Sequence, residues 1–218
     1  MGRKVGVMLL ETQLDREMTS QRAQILFMRE FFRNYPSVDF SAERVHSRAD
    51  LAKFLDRARR NRAVQFVHIV AHGRSSRTRS QLVLTGNERV DLRVGRNQRL
   101  FRGLVDKILF FSCCEIGADN DLMRKLLKVS GARAIFSYVD EIEDEQAFVI
   151  EPLFYHLAHR AASERSSAPL EEMYQRLRFA LHFLGIDKDR QAMTRSLLAA
   201  DIRVGRRLLW SSDDVRRL

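Results

Sequence analysis

Val67-His68-Ile69-Val70-Ala71-His72-Gly73 and Lys107-Ile108-Leu109-Phe110-Phe111-Ser112-Cys113-Cys114-Glu115 are the two stretches whose reading decides the fold. Each is a short, nearly continuous apolar run, the pattern of a strand buried on both faces in a parallel sheet. Each also stops at one reactive side chain, His72 in the first and Cys114 in the second. Open α/β sheets place their ligands at the carboxyl ends of their strands, so two neighbouring ends would bring an imidazole and a thiol to one rim. Those are the minimum parts of a cysteine nucleophile and its base.

Outward from these runs, strand candidates alternate with helical stripes, which points to an α/β fold with a mainly parallel sheet and helices on both faces. Val5 to Leu10 reads as the first strand, and Ile25, Met28 and Phe32 mark a helix over Thr19 to Asn34 that Pro36 ends. A short strand is expected around Phe40 to Val45. Ser47 followed by Asp50 resembles a capping box, and Leu51, Phe54, Leu55 and Ala58 form the apolar face of the helix behind it. Val64 to Ala71 is the third strand. A polar loop at Arg74 to Ser80 then leads to a hairpin whose arms are Gln81 to Leu84 and Arg89 to Leu92. Ile108 to Ser112 is the fourth strand, with a loop at Glu115 to Asn120 and a helix on Leu122, Leu126 and Val129 that Gly131 can end. Ala132 to Val139 is the fifth. Two helices follow, one on Ala147, Ile150, Phe154 and Leu157, the other on Leu170 through Leu184 to Gly185. The tail from Ile186 to Leu218 reads equally as a helix or as a last strand near Ile202 to Trp210.

Composition narrows the function classes. The 218 residues are 45% hydrophobic, which suits one domain spanning 1–218 with a substantial core. No apolar run approaches the roughly 18 residues of a membrane span, and Val5 to Leu10 is too short for a signal segment, so a cytoplasmic protein with no membrane partner is expected. The only two cysteines are adjacent, which leaves no ordinary internal disulfide. Alternation along a strand would turn Cys113 and Cys114 to opposite faces. Scattered histidines and no CxxC spacing make a poor zinc signature, so neither a metal nor a cofactor is expected. The net charge of +10 raises nucleic-acid binding. Arginines are spread along the chain, however, and the one dense run, Arg57 to Arg62, ends a helix where the dipole favours cations, so nucleic acid is not the expected partner.

Each candidate has a plainer alternative. His72 can merely cap a strand, as His68, inside the same strand, can be a core residue. Unpaired cysteine is among the most buried residue types, and Cys113, still within the strand, suits that reading better than Cys114. Asp140-Glu141-Ile142-Glu143-Asp144-Glu145 can be a solvated helix start, where carboxylates complement the dipole.

The runs ending in His72-Gly73 and in Ser112-Cys113-Cys114-Glu115 resemble the two signatures of the caspase-like cysteine peptidases, above all their CHAT branch. A third block, Gly131-Ala132-Arg133 through Phe154-Tyr155-His156-Leu157, is similar to a further CHAT segment. The likeness covers roughly residues 60 to 160 and departs at Tyr138-Val139, where Leu-Trp is usual, and at Cys113, where a small residue is usual. The resemblance implies a caspase-like three-layer sandwich with His72 as base, Cys114 as nucleophile, and the amides of Gly73 and Cys114 as oxyanion hole. It implies endopeptidase action on protein substrates in regulated proteolysis, cell death or antiviral defence, a gasdermin-like pore former being one substrate class. Activation by a partner protein, by self-cleavage or by assembly is expected. In such enzymes the loop holding Asp140, Glu141 and Glu143 helps form the first specificity pocket, which suits a basic P1 side chain. Against that preference, Ser112 stands where some Arg/Lys-cleaving relatives carry an aspartate. The alternative is a catalytically silent module of the same fold that binds a protein.

Overall fold

The computed structural model describes residues 4–12, 24–85, 88–139, 141–142, 144–163 and 168–183, with short strands at 198–200, 203–204 and 207–208. The first strand β1 (Val5–Glu11) leads to helix α1 (Gln24–Arg33), edge strand β2 (Val38–Arg44) and helix α2 (Arg48–Arg60). Strand β3 (Val64–Val70) is followed at once by β4 (His72–Ser75), β5 (Ser80–Val83) and β6 (Arg89–Asp91), then by the short helix α3 (Gly95–Gln98). Strand β7 (Ile108–Ser112), helix α4 (Asn120–Ser130), strand β8 (Ala134–Ser137) and helices α5 (Asp144–Ser163) and α6 (Ala168–Phe183) complete the main body.

The central sheet has the order β2-β1-β3-β7-β8-β9, with β9 at Leu198–Ala200. Its first five strands are parallel, and β9 runs antiparallel to β8. The two runs that decided the reading, β3 and β7, lie in the middle, where a strand must be apolar on both faces. Alternation along them builds two cores. Val67, Ile69, Leu109, Phe111 and Cys113 pack with residues of α2 and α4 on one face. Phe66, Val70, Ile108 and Phe110 pack with α1, α5 and α6 on the other. Helices on both faces of a mainly parallel sheet make the three-layer sandwich that the sequence pattern called for.

Local chemistry sets the ends of the helices. Ser47 accepts a hydrogen bond from the Asp50 amide, and the Asp50 carboxylate accepts one back from the Ser47 amide, the capping box expected for α2. Arg59, in the last turn of α2, pairs with Asp56 and donates to the carbonyls of Leu100 and Arg102, so this basic helix end docks the segment leading into β7. Asp119 caps α4 by accepting from Leu122 N, and Gly131 ends that helix in the left-handed region at φ 69°, which a glycine enters without the Cβ penalty.

Two differences from the sequence reading bear on the site. Arg74 and Ser75, expected in a polar loop, belong to β4, which pairs antiparallel with β5 and turns the expected hairpin into a three-stranded sheet. Ser75 and Ser80 are small and polar, and the local pattern carried no strand signal; the pairing supplies the order. The fifth strand is also shorter than 132–139. In the tail, Leu198–Ala200 is an edge strand, and Arg203–Val204 (β10) pairs with Arg207–Leu208 (β11). Residues 19–23, Gly86, Asn87, Leu184, Gly185, Ile202 and Trp210 lie outside the described residues. Among the described residues no helix is long and apolar enough to cross a membrane.

Phe110 tests the sheet's centre. It is fully buried, with ring centroids 4.8 Å from both His68 and Phe154. Phe110→Ala is expected to cost about 3–5 kcal/mol of stability, read as a lowered urea midpoint at unchanged slope.

Candidate active site

The pairing of β3 with β7 runs from Phe66 opposite Ile108 to Val70 opposite Ser112. One residue further, Ala71 N donates to Ser112 O at 3.3 Å, so the two chains leave the sheet still side by side. Two residues past the Val70–Ser112 pair are His72 on one chain and Cys114 on the other. Gly73 then lies directly on the Cys114 backbone. A Cβ built there would overlap the Cys114 carbonyl oxygen and come within 2.9 Å of Cys114 N. This contact explains the glycine: no side chain fits between β4 and residue 114.

The two thiols part company as alternation required. Cys113 is buried among the α2 and α4 residues, its Sγ 3.6 Å from the Ile69 carbonyl, and burial pushes its thiol well above the ordinary value. A thiol held protonated in an apolar core is a packing residue. Cys114 is half-buried, with Sγ 3.9 Å from the Ile142 carbonyl, and His72 is exposed. Both thiols are free. Behind Cys114 the chain turns sharply: Glu115 sits at φ 60°, and Ile116 N donates to Cys114 O at 2.7 Å.

The other expected site residues are placed as follows. Ile142 of the acidic segment lies beside Cys114, and Glu141 is exposed. Asp140 and Glu143 lie outside the described residues. Ser112 is only 8% exposed, and its hydroxyl donates to Glu151 at 2.5 Å. Among the described residues no group of three or more His, Cys, Asp or Glu could hold a metal ion.

Glu151 is the residue that sequence reasoning missed. It lies in α5, fully buried, and its Oε1 accepts from Ser112 and from Tyr138 OH at 3.3 Å. Its Oε2 accepts from Gln24 Nε2 and stands 3.4 Å from His68 Nε2, while His68 Nδ1 shares a 2.9 Å hydrogen bond with Tyr155 OH. Desolvation raises its pKa to about 7, although the bonds from Ser112, Gln24 and Tyr138 oppose the rise. The same burial lowers His68 to about 3. Between about pH 3 and about 7 the folded pair therefore carries one proton, on the carboxyl, facing a neutral imidazole. One signal for this existed in the sequence: Glu151 falls between Ala147 and Tyr155 at a spacing of four, on the stripe that α5 buries.

No family model matches the chain, and no curated protein matches it. Among solved structures, that of the Drosophila initiator caspase Dronc is similar at 10% sequence identity and a TM-score of 0.45, covering 79% of this chain and 70% of that one. A likeness of that degree adds no weight to the geometry above.

Two outcomes are expected from this geometry. Gly73→Ala should push β4 off residue 114, costing about 1–3 kcal/mol and changing the rate at which a small electrophile labels Cys114. The buried pair predicts a pH effect. Unfolded, Glu151 ionises above 4.5 and His68 is protonated below 6.5; folded, those limits move to about 7 and about 3. Between 4.5 and 6.5 both states hold one proton on the pair, so it adds no slope; stability falls below that window, and again from 6.5 to about 7. Glu151→Gln leaves His68 uncompensated. Relative to wild type, its stability should then climb with pH across that window by about 3 kcal/mol, measured by urea unfolding at several pH values.

Proposed function

We propose that the protein is a cysteine endopeptidase of the caspase-like type, with His72 and Cys114 as its dyad. The observation that carries this reading is the contact of Gly73 with the Cys114 backbone, made by adjacent ends of two parallel strands. The likeness of both strand ends to the CHAT signatures supports it independently.

The chemistry follows from the residue types. The thiolate is the reactive form of cysteine, so His72 takes the Cys114 proton as Sγ attacks the scissile carbonyl. The carbonyl π electrons move onto oxygen, and the amides of Gly73 and Cys114 are the proposed donors to that oxyanion. Each donor of this kind contributes about 3–4 kcal/mol to the transition state in related acyl transfers. Collapse breaks the C–N bond while the His72 imidazolium protonates the departing amine, leaving an Sγ acyl-enzyme. Water, deprotonated by His72, then releases the acid and restores the thiol. A basic side chain before the scissile bond suits the carboxylates of Asp140, Glu141 and Glu143, whose segment reaches Cys114 at Ile142. Ser112 shares the α5 side of the sheet with that segment. The resemblance also supports a cytoplasmic role in prokaryotic defence or cell death, with protein substrates such as a gasdermin-like pore former and activation by a partner protein.

The test is active-site labelling with an electrophilic peptide probe on wild type, Cys114→Ala, Cys113→Ala and His72→Ala, alongside a library varied at P1. Labelling should vanish in Cys114→Ala, persist in Cys113→Ala and fall sharply in His72→Ala, with Arg and Lys substrates cut in preference to Asp and Leu. A wild type that neither labels nor cleaves, with or without its activating partner, would instead mark a catalytically silent binding module of the same fold.

A further inference from the structure

A run of polar contacts outside the dyad joins the strand that carries His72 to the turn that carries Cys114. Glu115, the residue after the nucleophile, accepts a hydrogen bond at 3.0 Å from the backbone N–H of Ser75, the last residue of β4. The Ser75 hydroxyl is 3.2 Å from that of Ser80, and Ser80 donates to Asp119 Oδ2 at 3.0 Å. An ionised carboxylate only accepts, so the hydroxyls point one way, Ser75 to Ser80 to Asp119. Asp119 also pairs with Arg93 at 2.6 Å and caps α4. Ser80 is fully buried, while Ser75 and Glu115 are half-buried, so the contacts run from the rim into the interior.

The clasp bears on chemistry because of what lies at its two ends. β4 begins at His72 and ends at Ser75, and it is held to the three-stranded sheet with β5 and β6 rather than to the central sheet. Past Ala71, then, the Gly73 contact and a tie between the far end of β4 and the turn at Cys114 join β4 directly to that turn, beside its ladder to β5. Glu115 supplies that second tie. It does so from an unusual backbone conformation, since φ 60° is a left-handed value that costs a side-chain-bearing residue about 1–2 kcal/mol. A glycine would adopt the turn without that cost, but it would have no carboxylate to reach Ser75.

We propose that Glu115 is a positioning residue that holds the base strand against the nucleophile turn through its hydrogen bond to Ser75 N, an inference that rests on the His72–Cys114 dyad. It touches neither substrate nor reacting atom in this role. What it fixes is the separation and orientation of two groups whose misplacement by about 1 Å can cost a hundredfold in rate.

The experiment compares wild type, Glu115→Gln, Glu115→Ala, Glu115→Gly and His72→Ala by two readouts. The first is the pH profile of Cys114 alkylation by iodoacetamide, followed on the Cys114 peptide by mass spectrometry. The second is kcat and KM on whichever P1 peptide the library selects. His72→Ala is the control for the underlying reading: a profile identical to wild type would remove the dyad itself, and with it any role for Glu115 in aligning it. If His72→Ala does shift the profile, Glu115→Ala should shift it in the same direction and lower kcat about ten- to a hundredfold with KM within about twofold. Glu115→Gln, which keeps an acceptor for Ser75 N, should recover both. Glu115→Gly suits the φ of the turn, so it reports the loss of the carboxylate if the alanine variant does not fold. A wild-type profile and kcat in the glycine variant, or a glutamine variant as impaired as alanine, would overturn the proposal.

Discussion

Five residues of β3 stand in parallel register with five of β7, and the rest of the molecule depends on that pairing. It is a hydrogen-bonded ladder between two strands that are apolar on both faces, so a one-residue slip of β7 against β3 would turn its side chains to the wrong cores. Leu109 and Phe111 would then face α5, and Phe110 would face α2 and α4. The register also fixes what lies just past the sheet. Because Val70 stands opposite Ser112, His72 and Cys114 emerge together, and Gly73 is the residue that meets the Cys114 carbonyl.

Around this axis the protein separates two kinds of ionisable group. Those at the rim, His72 and Cys114, keep access to solvent, as the proposed nucleophile and base require. Those just beneath it are sealed. Glu151 and His68 are fully buried, and the carboxyl is tied to Ser112, two residues before Cys114. Burying an ionised carboxylate beside an apolar aromatic cluster is costly, which raises the Glu151 pKa to about 7, while the hydrogen bonds from Ser112, Tyr138 and Gln24 satisfy its oxygens. The polar layer under the rim thus links β7, α1, α5 and the end of β8.

Much of this was legible residue by residue. Unbroken apolar runs identified the central strands, Ser47 with Asp50 marked the start of α2, Gly131 the end of α4, and the separation of Cys113 from Cys114 followed from strand alternation. Those features are local: neighbours within a few positions decide them. β4 was not legible, because Arg74 and Ser75 become a strand only when β5 lies beside them. Glu151 was hard to see for a related reason. Its partners Gln24 and Ser112 are 127 and 39 positions away, and nothing near Glu151 announces that they will converge on it.

By itself, then, the sequence determined the α/β class, the two buried central strands and the pair of reactive residues at their ends, since periodicity and strand alternation act through short-range sterics and burial. Only the tertiary structure decided that Gly73 lies against Cys114, that Ser112 turns inward to the buried Glu151, and that Glu115 reaches back to Ser75. Those contacts join segments about 40 residues apart, and register and sheet order, rather than any local preference, bring them within bonding distance.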